Sequence, residues 1–258
     1  MNKNSLSERL GMVADMIEPC GYLADIGCDH GFMALYLINN KIIDRALCTD
    51  INEGPLKRAK EHIEAAGYSD RVDTLLSDGL HNITKDFRKI DASVICGMGG
   101  LMGVKILFDR NDLFEKMDYI YLQLQSDLNL VRLYLFYFGY EIVSENVVFE
   151  DGKFYTAMKI KHVKEKINGF SNLDEVVSFL RKKDSELTVE EAVEFYYPYY
   201  EDTDGKVFEN FLLFMIDKYE NVKNGMNEKS NNYSEVIREL NIMKEAYSRY
   251  FLKNVMKR

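Results

Sequence analysis

Leu23-Ala24-Asp25-Ile26-Gly27-Cys28-Asp29-His30-Gly31 is the stretch of this 258-residue chain on which the fold is read. A short apolar run ends in an acid, a glycine, a second acid and a second glycine, and a helical pattern follows at once. In an α/β protein that order builds a strand-to-helix turn at the carboxyl edge of a sheet, where small ligands bind. Gly27 and Gly31 let the backbone turn tightly and admit a ligand without a Cβ in the way. The helix that follows points unsatisfied N–H groups at whatever is bound. Asp25 and Asp29 make the loop acidic, which argues against a pyrophosphate and for a ligand carrying positive charge or hydroxyls. The spacing is not the G-x-G-x-x-G of nicotinamide-binding proteins. The plainer reading is an ordinary strand–helix turn with two helix-capping acids.

Outward from this loop, short apolar strands alternate with helical stretches. Strands are expected at 22–26, 45–50, 72–76, 91–96 and 118–124, with helices near 31–39, 53–66, 100–109 and 128–138. Such alternation implies βαβ crossovers and a mostly parallel sheet covered on both faces. Residues 140–148 and 154–161 then read as a hairpin around Glu150-Asp151-Gly152, since Asp-Gly suits a tight turn. After Asn168 the strand signal stops. Phe208, Leu212, Met215, Tyr219 and Val222, then Val236, Leu240, Met243, Tyr247 and Tyr250, alternate steps of four and three residues. Each series lines one face of a helix, and polar residues 223–232 between them predict a helical hairpin. The expected fold class is α/β: a Rossmann-like sheet domain over 1–165, then a small helical, coiled-coil-like domain over 166–258.

The strand ends carry the chemistry. The second strand ends at Asp50, whose ionised carboxylate offers two acceptor oxygens to a ribose diol. The third ends in Ser77-Asp78-Gly79-Leu80, with Asp78 placed to accept from an adenine amine and Gly79 to turn beside the ring. The fourth ends in Cys96-Gly97-Met98-Gly99-Gly100, and three glycines in four residues suggest a backbone passing close to something bound. Together with Asp25 and Asp29 these loops suit S-adenosylmethionine (SAM), which has a sulfonium, an amino group and a ribose diol. The cofactor-binding candidates are therefore Asp25, Gly27, Cys28, His30, Gly31, Asp50, Ile51, Asp78, Gly79, Gly97, Met98 and Gly99. Asp50 and Asp78 also admit a reading as helix caps or turn residues.

Composition sets the bounds. With 47% hydrophobic and 29% charged residues the chain can bury a sizeable core. No apolar run approaches the roughly 18 residues of a membrane span, and residues 1–5 lack the apolar core of a signal peptide. Cys20, Cys28, Cys48 and Cys96 form no C-x-x-C pair, the usage of a reduced cytoplasmic protein. His30, His62, His81 and His162 offer no metal-ligand spacing, so no metal is expected. A net charge of −9 makes the whole surface a poor polyanion binder, and distribution matters more. Residues 171–225 hold 13 acids against 6 bases, whereas 226–258 hold 7 bases against 4 acids.

The residues match a known pattern. The chain resembles the bacterial tRNA (adenine-N1)-methyltransferases that modify adenine 22 of tRNA. The resemblance rests on Arg9-Leu10, residues 24–31, Thr49-Asp50-Ile51-Asn52, Ser77-Asp78-Gly79-Leu80, Ile95-Cys96-Gly97-Met98-Gly99-Gly100 and Glu150-Asp151-Gly152-Lys153, in order across 5–161. Asp29-His30 and the Gly-Met-Gly-Gly run are its most specific parts. It implies a class I SAM-dependent methyltransferase fold, SAM as cofactor, tRNA as partner and a helical C-terminal domain. The chain departs from it at Gln125-Ser126-Asp127, where Gln-Pro-Asn is usual, and at Phe32-Met33-Ala34, where Tyr-Leu-Pro is usual.

Adenine N1 carries a lone pair, so positioning and electrostatics are the main tasks of such an enzyme. Asp29 is the catalytic candidate, accepting from the exocyclic amine; its alternatives are a methionine contact or a helix cap. The target base must leave its stack, and Tyr155, Phe154 and Phe32 are candidates to receive it. Arg9, Arg249 and Lys253 are read as phosphate contacts, with Gly100 and Tyr155 completing the substrate side. The expected state is a monomer or weak homodimer without a membrane. Rival readings are a SAM-dependent methyltransferase of a small molecule or protein, a non-catalytic SAM-binding interaction protein and, more distantly, a nicotinamide oxidoreductase.

Overall fold

The computed structural model describes residues 6–84, 88–163, 167–197 and 205–252. The strand leading into Gly27 is β1 (Cys20–Ile26), and it lies at the centre of the sheet. Its last five residues are buried, as expected for a parallel strand covered on both faces. The chain runs α1 (Glu8–Met16), β1, α2 (Phe32–Asn39), β2 (Ile43–Asp50), α3 (Glu53–Ala66), β3 (Val72–Leu76) and β4 (Ala92–Met98). It continues through α4 (Gly100–Asp109), α5 (Asn111–Phe114), β5 (Tyr119–Leu124), α6 (Leu128–Tyr137), β6 (Tyr140–Glu150) and β7 (Lys153–His162).

The seven strands pair in the order β3-β2-β1-β4-β5-β7-β6, all parallel up to β5, with β7 antiparallel between β5 and β6. From β1 the chain works outward through β2 and β3, then crosses back to place β4 on β1's other side. The order reverses between β1 and β4, and a crevice opens at the carboxyl ends of strands at such a switch point. Strand β3 and helices α3 and α4 have the expected bounds. Strands β1 and β2 start two residues earlier than expected, and both hairpin strands run longer.

Helix α1 gives a weak sequence signal and is held by contacts distant in sequence. Ser7 caps it through Leu10 N–H, and the Glu150 carboxylate in the hairpin accepts Glu8 N–H at 2.7 Å. A carboxylate at a helix N-terminus also meets the favourable end of the helix dipole. Val13 and Ala14 of α1 join Leu23, Ala34, Leu37, Ala46, Val94 and Tyr121 in the core.

The chain divides into compact units at Leu173/Asp174. Ile167 N–H donates to Tyr137 O, and Phe170 packs on Phe138 with ring centroids 5.8 Å apart. These contacts tie residues 167–170 to the sheet unit rather than to the helices after a boundary at 165. The second unit contains α7 (Leu173–Glu186, which begins at the boundary), α8 (Val189–Tyr196), α9 (Gly205–Gly225) and α10 (Tyr233–Tyr247), then a π-turn at Ser248–Leu252. Helices α9 and α10 are the pair expected from periodicity and pack on one another, and α7 and α8 are added to them. On α10, Val236, Leu240 and Met243 are buried along the expected seam, but Ile242 and Ala246 are buried as well, and α8 packs on the helix beside α9. Val222, the last seam position of α9, is 41% exposed. A seam pattern reports one contact face, whereas α10 has two.

The sheet unit also buries an ion pair. Arg132 on α6 donates from both terminal nitrogens to Glu145 on β6, at 2.9 and 2.6 Å. Both side chains are almost fully buried. Burial pushes the Glu145 carboxyl up and the Arg132 charge pulls it down, with burial the larger effect. Removing one partner of such a pair strands a buried charge, at about 3–5 kcal/mol. Glu145→Leu should lower unfolding free energy in urea by about that amount, while Arg132→Met/Glu145→Leu should recover at least half of it. A single substitution costing under about 1 kcal/mol would show that neither charge depends on the other for its burial.

Candidate active site

Asp25, the last residue but one of β1, has its carboxyl group buried. It faces the backbone N–H of Ala34 in the first turn of α2, whose N-cap residue Gly31 has no side chain to cap the helix. Oδ2 of Asp25 is buried with no partner among the described residues. Burial pushes the carboxyl up from its ordinary 3.8 to about 7; the facing Ala34 N–H opposes this and the charge of Asp50 adds to it. The turn itself is fixed by Gly27 and Cys28 N–H groups, which both donate to Thr49 O on β2, at 2.9 and 3.0 Å.

Gly27 has φ +73°, and a Cβ there would stand 2.2 Å from Met98 Cε. The first loop and the β4 loop thus meet across the switch point, with the Met98 thioether between them. Cys28 is buried beside Cys48, so its side chain serves packing. Asp29 adopts φ +47°, a conformation that Asp tolerates better than most residues. Its side chain is 66% exposed and lies 3.3 Å from Arg58 on α3 and 3.7 Å from His30 Nε2. His30 stacks with Phe32 and His62 at centroid distances of 5.3 and 5.4 Å, which makes it a brace between α2 and α3. His62 Nδ1 lies 3.0 Å from His30 O.

At the end of β2, Asp50 is buried and accepts Asn52 N–H at 2.8 Å, while Ile51 is held 62% exposed. At the end of β3, Asp78 is paired with Lys105 of α4 at 2.6 Å. Lys105 also reaches Asp109 at 2.9 Å, so the Asp78 charge is already partly neutralised. Gly79, at φ +59°, lies against Ile106.

The glycine turn after β4 divides into two parts. Gly97, at φ +77°, is exposed and faces Arg9 and Gln125. Gly99 is exposed too, but Gly100 is buried and its N–H donates to Ser126 Oγ at 3.2 Å. A Cβ on Gly100 would lie 2.2 Å from Ser126 O. Gly100 was expected on the substrate side; what passes close to it in the structure is the chain's own loop after β5. Ser126 Oγ in turn donates to Asp127 Oδ2 at 2.5 Å.

Arg9 of α1 reaches this edge from outside the sheet. It donates to Gln123 Oε1 at 2.7 Å and lies over the Tyr155 ring, 5.4 Å from its centroid. Gln123 carried no sequence signal, being a polar residue inside an apolar strand; its burial is what marks it. Arg249 lies in the helical unit, 3.3 Å from Glu194 and 3.9 Å from Glu245. Those carboxylates occupy the charge that the sequence reading assigned to phosphate. Lys253 falls outside the described residues.

The groups at the switch point suit SAM. Asp25 and Asp50 put buried acceptors on adjacent strands, Oδ2 of Asp25 has no partner among the described residues, and Ile51 is an apolar residue held at the rim. No group of three or more His, Cys, Asp or Glu side chains with metal-site geometry occurs among the described residues. A family model described as a methyltransferase domain matches residues 6–158, the whole sheet from α1 into β7. The chain belongs to the methyltransferase-domain family.

The tRNA (adenine(22)-N(1))-methyltransferase of Bacillus subtilis is 32% identical over 158 residues, 61% of this chain and 66% of that protein. The match thus spans just under two thirds of the relative's length. Among solved structures, Mycoplasma capricolum TrmK bound to S-adenosyl-homocysteine superposes with a TM-score of 0.75 at 24% identity, covering 94% of this chain and 98% of that one. The B. subtilis m1A22 tRNA methyltransferase TrmK gives 0.70 at 24% identity, covering 95% and 99%. At these identities the superpositions speak for the fold, and they do so well beyond the region matched in sequence.

The Asp25 carboxyl sets a pH dependence. Its folded value lies above its unfolded one, so between about pH 4 and 7 the native state keeps a proton that the unfolded state has lost. Stability of the ligand-free protein should therefore fall as pH rises through that window. Asp25→Asn keeps the shape of the side chain without its charge. Its Tm should exceed wild type by at least a few degrees at pH 8 and match it near pH 4. Equal Tm values at both pH values would show that Asp25 is not held with a raised pKa.

Proposed function

We propose that this chain transfers a methyl group from SAM to N1 of an adenine in tRNA, adenine 22. The observation that carries the reading is the convergence of Asp25, Asp50 and the Gly97–Gly99 turn on one switch point, in a chain 32% identical to the B. subtilis adenine-22 methyltransferase. The two solved neighbours named above, one bound to S-adenosyl-homocysteine, have the same architecture.

When bound, the cofactor supplies a methyl group on a positively charged sulfur. Asp25 provides a buried carboxylate beside that charge, and Asp50 provides acceptors for a ribose diol. Gly27, Gly31, Gly79 and Gly97 take positive φ and turn the loops at the strand ends, and Ile51 offers an apolar surface to a purine. The adenine N1 lone pair forms the new bond to the methyl carbon as the carbon–sulfur bond breaks. The alkylated ring is cationic until the exocyclic amine loses a proton. Asp29, exposed at the loop, accepts a hydrogen bond from that amine and stabilises the developing charge. Arg58 at 3.3 Å holds Asp29 oriented for this. The adenine reaches the site after leaving its stack.

In this reading the sheet unit performs the transfer and the helical unit is accessory. The four cysteines are free thiols, which suits the reducing cytoplasm. No helix among the described residues is long and apolar enough to cross a membrane. The working form is a monomer or weak homodimer.

The test is incubation with methyl-labelled SAM and unmodified tRNA, followed by mapping of the labelled nucleoside. Label in N1-methyladenosine at position 22 is expected; a protein that binds SAM yet labels no RNA would overturn the reading. Asp29→Asn should lower kcat by roughly tenfold or more with the SAM Kd unchanged. Full kcat with a weakened SAM Kd would instead move Asp29 to the cofactor.

A further inference from the structure

Gln123 is the least expected side chain in the sheet: a fully buried amide near the carboxyl end of β5. Its oxygen accepts twice, from Arg9 Nη1 at 2.7 Å and from Gly97 N–H at 3.2 Å. With both lone pairs of Oε1 in use, the amide has one orientation. Flipping it would turn NH₂ donors against two donors. The amide nitrogen is buried without a partner among the described residues, an uncompensated cost that a structural core position rarely carries.

Arg9 is thereby fixed from two directions. One terminal nitrogen is tied to Gln123, and the guanidinium plane lies over Tyr155. No carboxylate pairs with it among the described residues, although the chain carries an excess of acids. By contrast Arg58, Arg110, Arg132, Arg238 and Arg249 each pair with at least one carboxylate. The Cβ position of Gly97 lies 3.3 Å from Arg9 Nη1, so this cation stands one residue from Met98, which touches the cofactor loop.

We propose that Arg9 is a phosphate anchor for the nucleotide entering the site and that Gln123 is the positioning residue that presents it. The inference rests on the RNA reading above. Gly97 N–H shares the same oxygen, so the glycine turn of the cofactor side and the anchor of the substrate side are held by one amide. An arginine already immobilised loses little further freedom on meeting a phosphate, and its remaining donors suit phosphate oxygens.

The test measures tRNA binding by the full chain across a salt series, with SAM-induced thermal shift as the control for an intact fold. Arg9→Ala should weaken the Kd for unmodified tRNA roughly fivefold or more and reduce the slope of log Kd against log salt by about one. Its SAM response should be unchanged. Gln123→Met keeps the shape and removes the acceptor; it should weaken binding in the wild-type background and add nothing to Arg9→Ala. Gln123→Glu preserves both hydrogen bonds but neutralises Arg9, so it should weaken tRNA binding while folding normally. A merely structural role for Gln123 requires the opposite: Glu tolerated, and Met equally costly with or without Arg9. An Arg9→Ala slope equal to that of wild type would overturn the inference while leaving methyl transfer to RNA standing. A wild-type protein with no salt-dependent tRNA affinity would overturn both.

Discussion

A carboxyl group buried at the end of a central strand is the constraint around which this molecule is arranged. Asp25 cannot be solvated where it stands; it faces the first turn of α2 and keeps one oxygen without a partner among the described residues. Gly31, at φ +72°, turns the chain from this loop into α2. The two N–H bonds to Thr49 O then lock the loop to the neighbouring strand. The loop thus has little freedom to relax when a ligand arrives, which is the condition for electrostatic preorganisation.

The two sides of the crevice are built with opposite signs. Asp25 and Asp50 line the side made by β1 and β2, whereas Arg9 stands at the side made by β4, β5 and the hairpin. A cationic cofactor and an anionic nucleic acid can then be sorted to their own sides by charge before any specific contact forms. The net charge of −9 conceals this division, because most of the acidic excess lies elsewhere in the chain.

Much of this was legible in the sequence because it is local. Strand β3 and helices α3 and α4 are bounded by their own periodicity and by turn residues at each end, and the acids at successive strand ends can be read off in order. What escaped depends on partners distant in sequence. Helix α1 is fixed by Glu150, Gln123 is meaningful only beside Arg9, and Gly100 is a glycine because Ser126 presses on it. Charge counting likewise gave Arg249 to phosphate, whereas the helical unit supplies Glu194 and Glu245. A residue type announces its chemistry, but its availability is decided by what the fold sets against it.

The position of β7 has a consequence for how the chain is made. It is the last strand in sequence, yet it lies inside the sheet, between β5 and β6. Until residue 162 has been synthesised, β5 presents an open edge of unpaired backbone groups, and β6 has no strand to join. The earlier strands can associate as they emerge, while the hairpin must fold back and insert as a unit. Glu150 reaches the N-terminus of α1 only after that insertion, so the first helix is secured by one of the last events in building the sheet. The nascent chain thus carries its acidic, cofactor-facing wall before its Arg9 anchor has a seat. A ribosome paused shortly before residue 153 would hold a half-formed sheet whose exposed edge invites a chaperone or another chain.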